Sequence, residues 1–138
     1  MASVEDFALS IVNEVLKEDD NDAKESFKAR SKDIYSMSYF SGIRPALAFA
    51  YSKAGEENIK NLLKGSKVYI KKVDKGYALY AYAIVKYLKE IEGYRDLSGK
   101  IDEVLKIIEN DEVRLTSKIL NFMNWLKLFS EAKIKTKE

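Results

Sequence analysis

Apolar residues recur at helical spacing along nearly the whole chain, and this pattern restricts the fold more than any other feature of the sequence. The first segment carries an almost unbroken stripe at the 3.6-residue period, formed by Val4, Phe7, Ala8, Ile11, Val12, Val15 and Leu16. The longest apolar run, residues 77–85, is far too short to cross a bilayer. At 138 residues, the chain is therefore predicted to be all-α, a single compact bundle of about six to seven helices.

Residues at the helix ends predict where the first three helices start and stop. Ser3 is the expected N-cap of the first helix, and Asp22 starts capping-box spacing for the second. Pro45 is expected at the first position of the third helix, where its missing N–H costs nothing, and Gly55 is its C-cap. The interior of this helix, residues 46–51, is apolar on every side, which predicts either the central core helix or a subunit interface.

The second half of the chain predicts four more helices, at residues 56–64, 77–91, 98–109 and 111–132. Residues 65–76 are the least regular segment, and their pattern leaves a short hairpin, a helix extension and a mobile loop open. One domain is expected over residues 1–132, followed by a frayed basic tail at residues 133–138.

Missing residue types exclude most catalytic chemistry. The sequence has no His, no Cys and no Gln, so it has no disulfide, no thiolate nucleophile and no Ser-His-Asp triad. Acid pairs such as Glu56-Glu57 lack calcium-loop spacing, and no glycine-rich phosphate loop is present. We therefore expect a non-enzyme without metal or cofactor, and a carboxylate–metal nuclease is the one catalytic alternative. Abundant Lys and Glu, without Cys or Gln, favour a thermophilic source.

The net charge of +2 conceals a mosaic of charged blocks. Residues 1–22 contain seven acidic residues and one basic residue, whereas residues 23–55 contain six basic and two acidic residues. Such a mosaic suits a subunit whose acidic face meets a basic face of a neighbour and whose basic groove holds phosphate. The alternative is that these charges are the solvated helix faces of a thermophilic protein.

Nine tyrosines raise the question of base stacking. Tyr77, Tyr80 and Tyr87 have the helical spacing of core residues, whereas Tyr82 lies off that stripe and is predicted to be exposed. Trp125 adjoins an apolar stripe in the last helix and is predicted to pack in the core, with an interface position as the alternative.

Two stretches together resemble a known family. Residues 34–53 read IYSMSYFSGIRPALAFAYSK, a helix that ends in Gly plus a hydrophobic residue and is followed by an Ala/Leu/Phe helix ending near Ser-Lys. Residues 119–132 read ILNFMNWLKLFSEA, a helix with Phe-x-x-Trp-Leu-Lys and a closing Glu-Ala. The chain thus resembles the small-subunit family of the type III-B CRISPR effector, the Cmr complex. It departs from the family pattern in the lysine-rich residues 65–76.

The resemblance implies an all-helical subunit without nuclease activity. Several copies would stack head to tail as a minor filament beside the guide-bearing backbone subunits and help to hold the path of guide and target RNA. The implied partners are other Cmr subunits, further copies of this chain, and guide and target RNA, with no membrane and no small-molecule substrate. Residues 1–6 carry acids rather than a basic leader, so we expect no signal peptide and a cytoplasmic location.

Eight basic residues are the candidate phosphate contacts under this interpretation: Lys24, Lys28, Arg30, Lys32, Arg44, Lys53, Arg114 and Lys118. The competing hypothesis is a helical scaffold that bridges protein partners without touching nucleic acid. In that case Phe49, Tyr51 and Trp125 are the expected interface anchors.

Overall fold

The computed structural model describes residues 3–135, and within that range the chain forms seven α-helices and no strand. Their bounds are α1 Val4–Val15, α2 Asn21–Ser41, α3 Ile43–Ala54, α4 Glu56–Leu63, α5 Lys72–Glu90, α6 Ile101–Asn110 and α7 Glu112–Lys133. This confirms the predicted all-α bundle of six to seven helices. None of these helices is long and apolar enough to cross a membrane.

Helix α5 is the centre of the bundle. Every residue from Gly76 to Val85 is buried, and α2, α3 and α4 pack around it, with further contacts from α1. Of the two alternatives predicted for the third helix, the structure excludes the central core helix, and a subunit interface stays a prediction. Helix α3 buries a single face against α5, while Ala48 and Phe49 on its outer side are exposed.

Side-chain contacts establish the directions of the long helices. Ser31 on α2 lies 3.3 Å from Ser130 on α7, and Lys28 donates to the carbonyl of Ile134, so these helices are antiparallel. Glu14 and Glu18, at and just beyond the end of α1, contact Lys86 and Lys75 on α5, so that pair is antiparallel as well. The start of α1 and the segment before α5 consequently lie at opposite ends of the molecule.

The predicted caps are mostly confirmed. The Ser3 hydroxyl accepts a hydrogen bond from the Asp6 amide at 3.0 Å, and Gly55 ends α3 with a φ of +84° that favours glycine. Helix α2 begins at Asn21, one residue early, because Asp20 rather than Asp22 is its N-cap. Pro45 is the third residue of α3, not the first, and is tolerated because amides of the first turn have no partner within a helix.

The irregular segment at residues 65–76 divides into two parts. Residues 72–76 belong to α5, which confirms the helix-extension alternative for them, whereas residues 66–71 form a connector without helix. Val68 is buried and Ile70 packs against the core, so the connector is held on the bundle at alternate residues. Tyr69 between them is 88% exposed.

Four of the aromatic predictions are confirmed. Tyr80 and Tyr87 are fully buried, Tyr77 is nearly so, and Trp125 packs half-buried against the core and stacks on Phe129. Tyr51 is also buried, with its hydroxyl donating to the carbonyl of Gly99 at 2.8 Å, so it is unavailable as an interface anchor.

The prediction for Tyr82 is wrong. Its ring is covered and only 7% of the residue is exposed, because Glu14 at the end of α1 and Lys86 on α5 close over it. The hydroxyl donates to the Glu14 carboxylate at 2.7 Å and accepts from the Lys86 ammonium at 3.0 Å. Burial and the bond to the carboxylate raise the pKa of Tyr82, so the hydroxyl keeps its proton.

The end of the chain is packed as far as it is described. Lys133 is the last residue of α7, and Ile134 is buried. Residues 136–138 lie outside the described range, so the frayed tail and the domain boundary at residue 132 stay predictions.

Gly76 supplies a test of this packing. A Cβ built there would lie 2.0 Å from the Ser26 hydroxyl oxygen and 2.7 Å from the Ser26 carbonyl carbon, so α2 and α5 must separate to admit alanine. We expect Gly76→Ala to lower the free energy of unfolding by about 3 kcal/mol, measured by urea denaturation.

Gly65→Ala is the matched control, because Gly65 has a positive φ but no atom within 4 Å of an added Cβ. Its expected cost is only about 1 kcal/mol of backbone strain. Equal effects of the two variants would contradict the close contact between α2 and α5.

Candidate nucleic-acid interface

The eight predicted phosphate contacts do not form one cluster. They are distributed over three helices: Lys24, Lys28, Arg30 and Lys32 on α2, Arg44 and Lys53 on α3, and Arg114 and Lys118 on α7. Some of these side chains already contact acids, aromatic rings or carbonyls within the chain, and others keep their charge free. Their local partners therefore decide which of them is available to a phosphate.

Two arginines, Arg114 on α7 and Arg44 on α3, contact carboxylates near the junction of α6 and α7. Arg114 donates to Asp111 at 2.5 Å and to Glu92 at 2.8 Å, and a further nitrogen donates to the Tyr94 hydroxyl. The hydrogen bonds to Asp111 and then Glu92 raise the pKa of Arg114 above its ordinary value. This arginine fastens the connector after α5 to the start of α7.

Arg44 lies at the same junction but is held more loosely. Its guanidinium nitrogens are 3.9 Å from Glu109 and 3.8 Å from Glu112, and its side chain is 43% exposed. Ion pairs of this length at the surface contribute little to stability.

Aromatic rings and a helix end hold three further candidates. Arg30 lies 4.6 Å from the Tyr77 ring centroid and pairs with Asp33, while Lys53 lies 5.6 Å from the Phe49 ring centroid. Lys28 donates to the Ile134 carbonyl at 2.9 Å, where α7 ends.

Lys24, Lys32 and Lys118 have no ion pair or hydrogen bond from their ammonium groups to any residue in the range 3–135. Lys24 and Lys32 are two turns apart on one side of α2, a distance of about 12 Å. Lys118 lies about 18 Å along α7 from Ser130, whose hydroxyl is close to that of Ser31 beside Lys32. The three free cations therefore belong to an extended surface rather than to one pocket.

Many residues of the acidic and basic blocks form ion pairs with each other within the chain. Lys75 pairs with Glu18 at 3.1 Å, Lys86 with Glu14 at 3.6 Å, and Lys72 with Asp22 at 3.2 Å. The acidic block near the beginning of the chain thus packs on the basic block of α5. Of its acids, Glu5, Asp6 and Asp19 keep no ion pair with the described residues, so the charge available to a partner is smaller than the sequence blocks suggest.

The sequence interpretation missed the aromatic rings that are most exposed. Tyr39 is 68%, Phe40 85% and Tyr69 88% exposed, whereas the predicted Tyr82 is buried. Tyr39 and Phe40 occupy the last turn of α2, and Tyr69 lies in the lysine-rich connector. Two consecutive aromatic residues in the last turn before the helix-ending Gly42 were a signal in the sequence, because at a helix end fewer neighbours cover a side chain.

The described residues do not gather groups suited to catalysis. Within residues 3–135, no group of three or more carboxylates is placed to hold a metal ion. An open groove of about 440 Å³ lies between the connector after α5 and α6, with Tyr94, Glu103 and Lys106 in its lining. Of the two acids in its lining, Asp96 and Glu103, the Glu103 carboxylate already accepts hydrogen bonds from the Ser98 hydroxyl and amide, and these bonds lower the pKa of Glu103.

Comparison with known proteins places the chain in a family. Residues 3–133 match the family model described as CRISPR-associated protein (Cas_Cmr5). A relative from Saccharolobus solfataricus, the CRISPR system CMR subunit Cmr5, is 30% identical over 120 residues, covering 81% of this chain and 74% of its own. A chain from a cryo-EM structure of the type III-B Cmr-beta complex bound to non-cognate target RNA has the same fold, with a TM-score of 0.85 and 20% identity over 99% of both chains. The chain belongs to the Cas_Cmr5 family of CRISPR-associated proteins.

Proposed function

We propose that this chain is the non-catalytic small subunit of a type III-B Cmr effector complex, an RNA-guided antiviral assembly. The observation that carries the proposal is the match along almost the whole chain, by family model over residues 3–133 and by fold to a chain of such a complex. This subunit acts in the cytoplasm together with the other subunits.

The residue types available support a role without catalysis. With no His and no Cys, only carboxylates, lysines and tyrosines remain for acid–base chemistry. The Glu14 and Glu92 carboxylates accept hydrogen bonds from tyrosine hydroxyls, and Glu103 accepts from Ser98. These acids stabilise the fold and are not arranged around a common reaction centre.

Stacking of copies head to tail requires two different and complementary surfaces on one molecule. The connector at residues 66–71 presents the exposed Tyr69 between Lys67 and Lys71, at the end of the molecule where α5 begins. At the opposite end, the first turn of α1 presents Glu5 and Asp6. We assign these two surfaces to the contact between successive copies, with Tyr69 as the aromatic anchor.

Charge reversal tests the stacking contact. In a complex reconstituted with the other subunits of the source organism, Lys67→Glu with Lys71→Glu is expected to reduce the number of copies bound, measured by native mass spectrometry. Glu5→Lys with Asp6→Lys should have the same effect, and combining all four substitutions should restore the wild-type number, because the two surfaces are again complementary.

Each variant is first melted in isolation, since Glu5 and Asp6 also favour the start of α1 by about 0.5 kcal/mol each. If both double variants are folded and the fourfold variant still binds fewer copies than the wild type, the contact between copies lies elsewhere.

Phosphate binding is proposed for the eight predicted basic residues, in an order that their present partners suggest. Lys24, Lys32 and Lys118 come first, because no ion pair within the described range has to break before they reach a phosphate. Lys53 follows, since only the Phe49 ring holds it. The other four, Lys28, Arg30, Arg44 and Arg114, must give up carbonyl or carboxylate partners.

Salt dependence tests this order. Replacing Lys24, Lys32 and Lys118 by Gln in the assembled complex should reduce the slope of log affinity for target RNA against log salt by about 2, from three lost contacts to a single strand. Affinity is measured by fluorescence anisotropy at four salt concentrations.

The matched control removes three other exposed lysine charges, by Lys17→Gln, Lys100→Gln and Lys106→Gln. The control should leave the slope near the wild-type value. A wild-type slope for the test variant in a fully assembled complex would instead favour a scaffold that touches only protein.

A further inference from the structure

The end of α2 presents two aromatic rings to solvent. Tyr39 and Phe40 are 68% and 85% exposed, and their ring centroids lie 5.6 Å apart in an edge-to-face arrangement at 74°. Exposed apolar surface of this kind on a folded protein usually marks a binding site. The two rings contact each other, and both stay exposed to solvent.

The same side of α2 carries a row of cations that leads to these rings. Lys24, Lys28 and Lys32 follow one another at intervals of four residues, and Tyr35 and Tyr39 continue the row at i+11 and i+15 from Lys24. From Lys24 to Tyr39 the row is about 22 Å long. A surface of this length accommodates several nucleotides of one strand.

Two lysines of this row, Lys24 and Lys32, keep their charge available. Asp22 pairs with Lys72, and Asp33 pairs with Arg30, so these two carboxylates of α2 are directed to other cations. Lys24 and Lys32 have no such pair within residues 3–135. A negatively charged strand is therefore favoured over an apolar protein surface as the occupant.

We propose that Tyr39 and Phe40 form a stacking platform for an unpaired RNA base, at the end of a phosphate track formed by Lys24 and Lys32. Aromatic rings stack on bases that are not already stacked in a duplex, and lysines hold the neighbouring phosphates without reading sequence. The inference rests on the proposed function, since it assigns to the subunit an RNA segment that base pairing leaves free. The guide strand and the target strand both carry bases and phosphates, so either strand can supply this segment.

Photocrosslinking identifies the strand. The complex is assembled with 4-thiouridine placed at single positions of the guide RNA in one arm and of the target RNA in the other, then irradiated and analysed by mass spectrometry. A cross-link to Tyr39 or Phe40 in one arm is expected, and its position gives the base that stacks. No cross-link to either ring in both arms overturns the proposal.

Leucine substitutions separate base stacking from protein docking, because leucine keeps apolar surface but has no aromatic face. Tyr39→Leu with Phe40→Leu should leave assembly unchanged and weaken binding of a target with few complementary bases about tenfold. Tyr39→Trp should retain wild-type affinity. Loss of assembly in the Leu variant would identify a protein-docking surface, and unchanged RNA affinity would also reject the platform.

The free chain separates this proposal from the proposed function. Isolated wild-type protein should bind single-stranded oligouridine more tightly than the Tyr39→Leu, Phe40→Leu variant, whereas the control Val113→Ala, at an exposed apolar side chain without an assigned role, should match wild type. If the wild-type chain does not assemble with Cmr subunits but shows this difference, the proposed function fails and the platform stands. Equal binding by all three proteins rejects the platform.

Discussion

The burial of α5 is the constraint on which the other helices depend. An apolar helix with no solvent-facing side from Gly76 to Val85 must be surrounded, and α2, α3 and α4 supply the covering faces, joined by α1. The closest approach is at Gly76, where the absence of a side chain lets α5 meet Ser26 of α2. The Ser26 hydroxyl bonds to the Val73 carbonyl there, so the contact also satisfies a polar group at the start of α5.

Polar links at the edge of this core join helices that are distant in sequence. The Tyr82 hydroxyl ties α5 to Glu14, the Tyr87 hydroxyl bonds to Glu92 at 2.6 Å, and Glu92 in turn holds Arg114 on α7. Both Tyr82 and Tyr87 place the ring in the core and the hydroxyl at an acid that a cation also contacts. The tyrosine-rich composition is thereby explained by packing, which leaves Tyr39 and Tyr69 as the clear exceptions.

Ion pairs within the chain reduce the number of charges that are available to a binding partner. Lysines of α5 pair with Glu14, Glu18, Asp20 and Asp22, and Arg44 and Arg114 lie against acids at the junction of α6 and α7. The cations that stay free within the described residues include Lys24 and Lys32 on the outer side of α2, Lys67 and Lys71 in the connector before α5, and Lys118 on α7. Membership of the Cas_Cmr5 family gives these surfaces a context, and the proposed RNA track and stacking contact use the charge that the fold leaves unmatched.

The sequence by itself determined the all-α class, the number of helices, the cap at Ser3 and the burial of Tyr77, Tyr80 and Tyr87, because helical periodicity and capping act over a few residues. It also excluded chemistry that needs His or Cys. Only the tertiary structure decided that α5 rather than α3 is central, that Tyr82 is covered, and that Arg114 is held by acids while Lys24 and Lys32 are not. The position of α5 and the burial of Tyr82 depend on which helix faces meet, as between Glu14 and Tyr82, which are 68 residues apart in sequence. Local spacing carries no information about that choice.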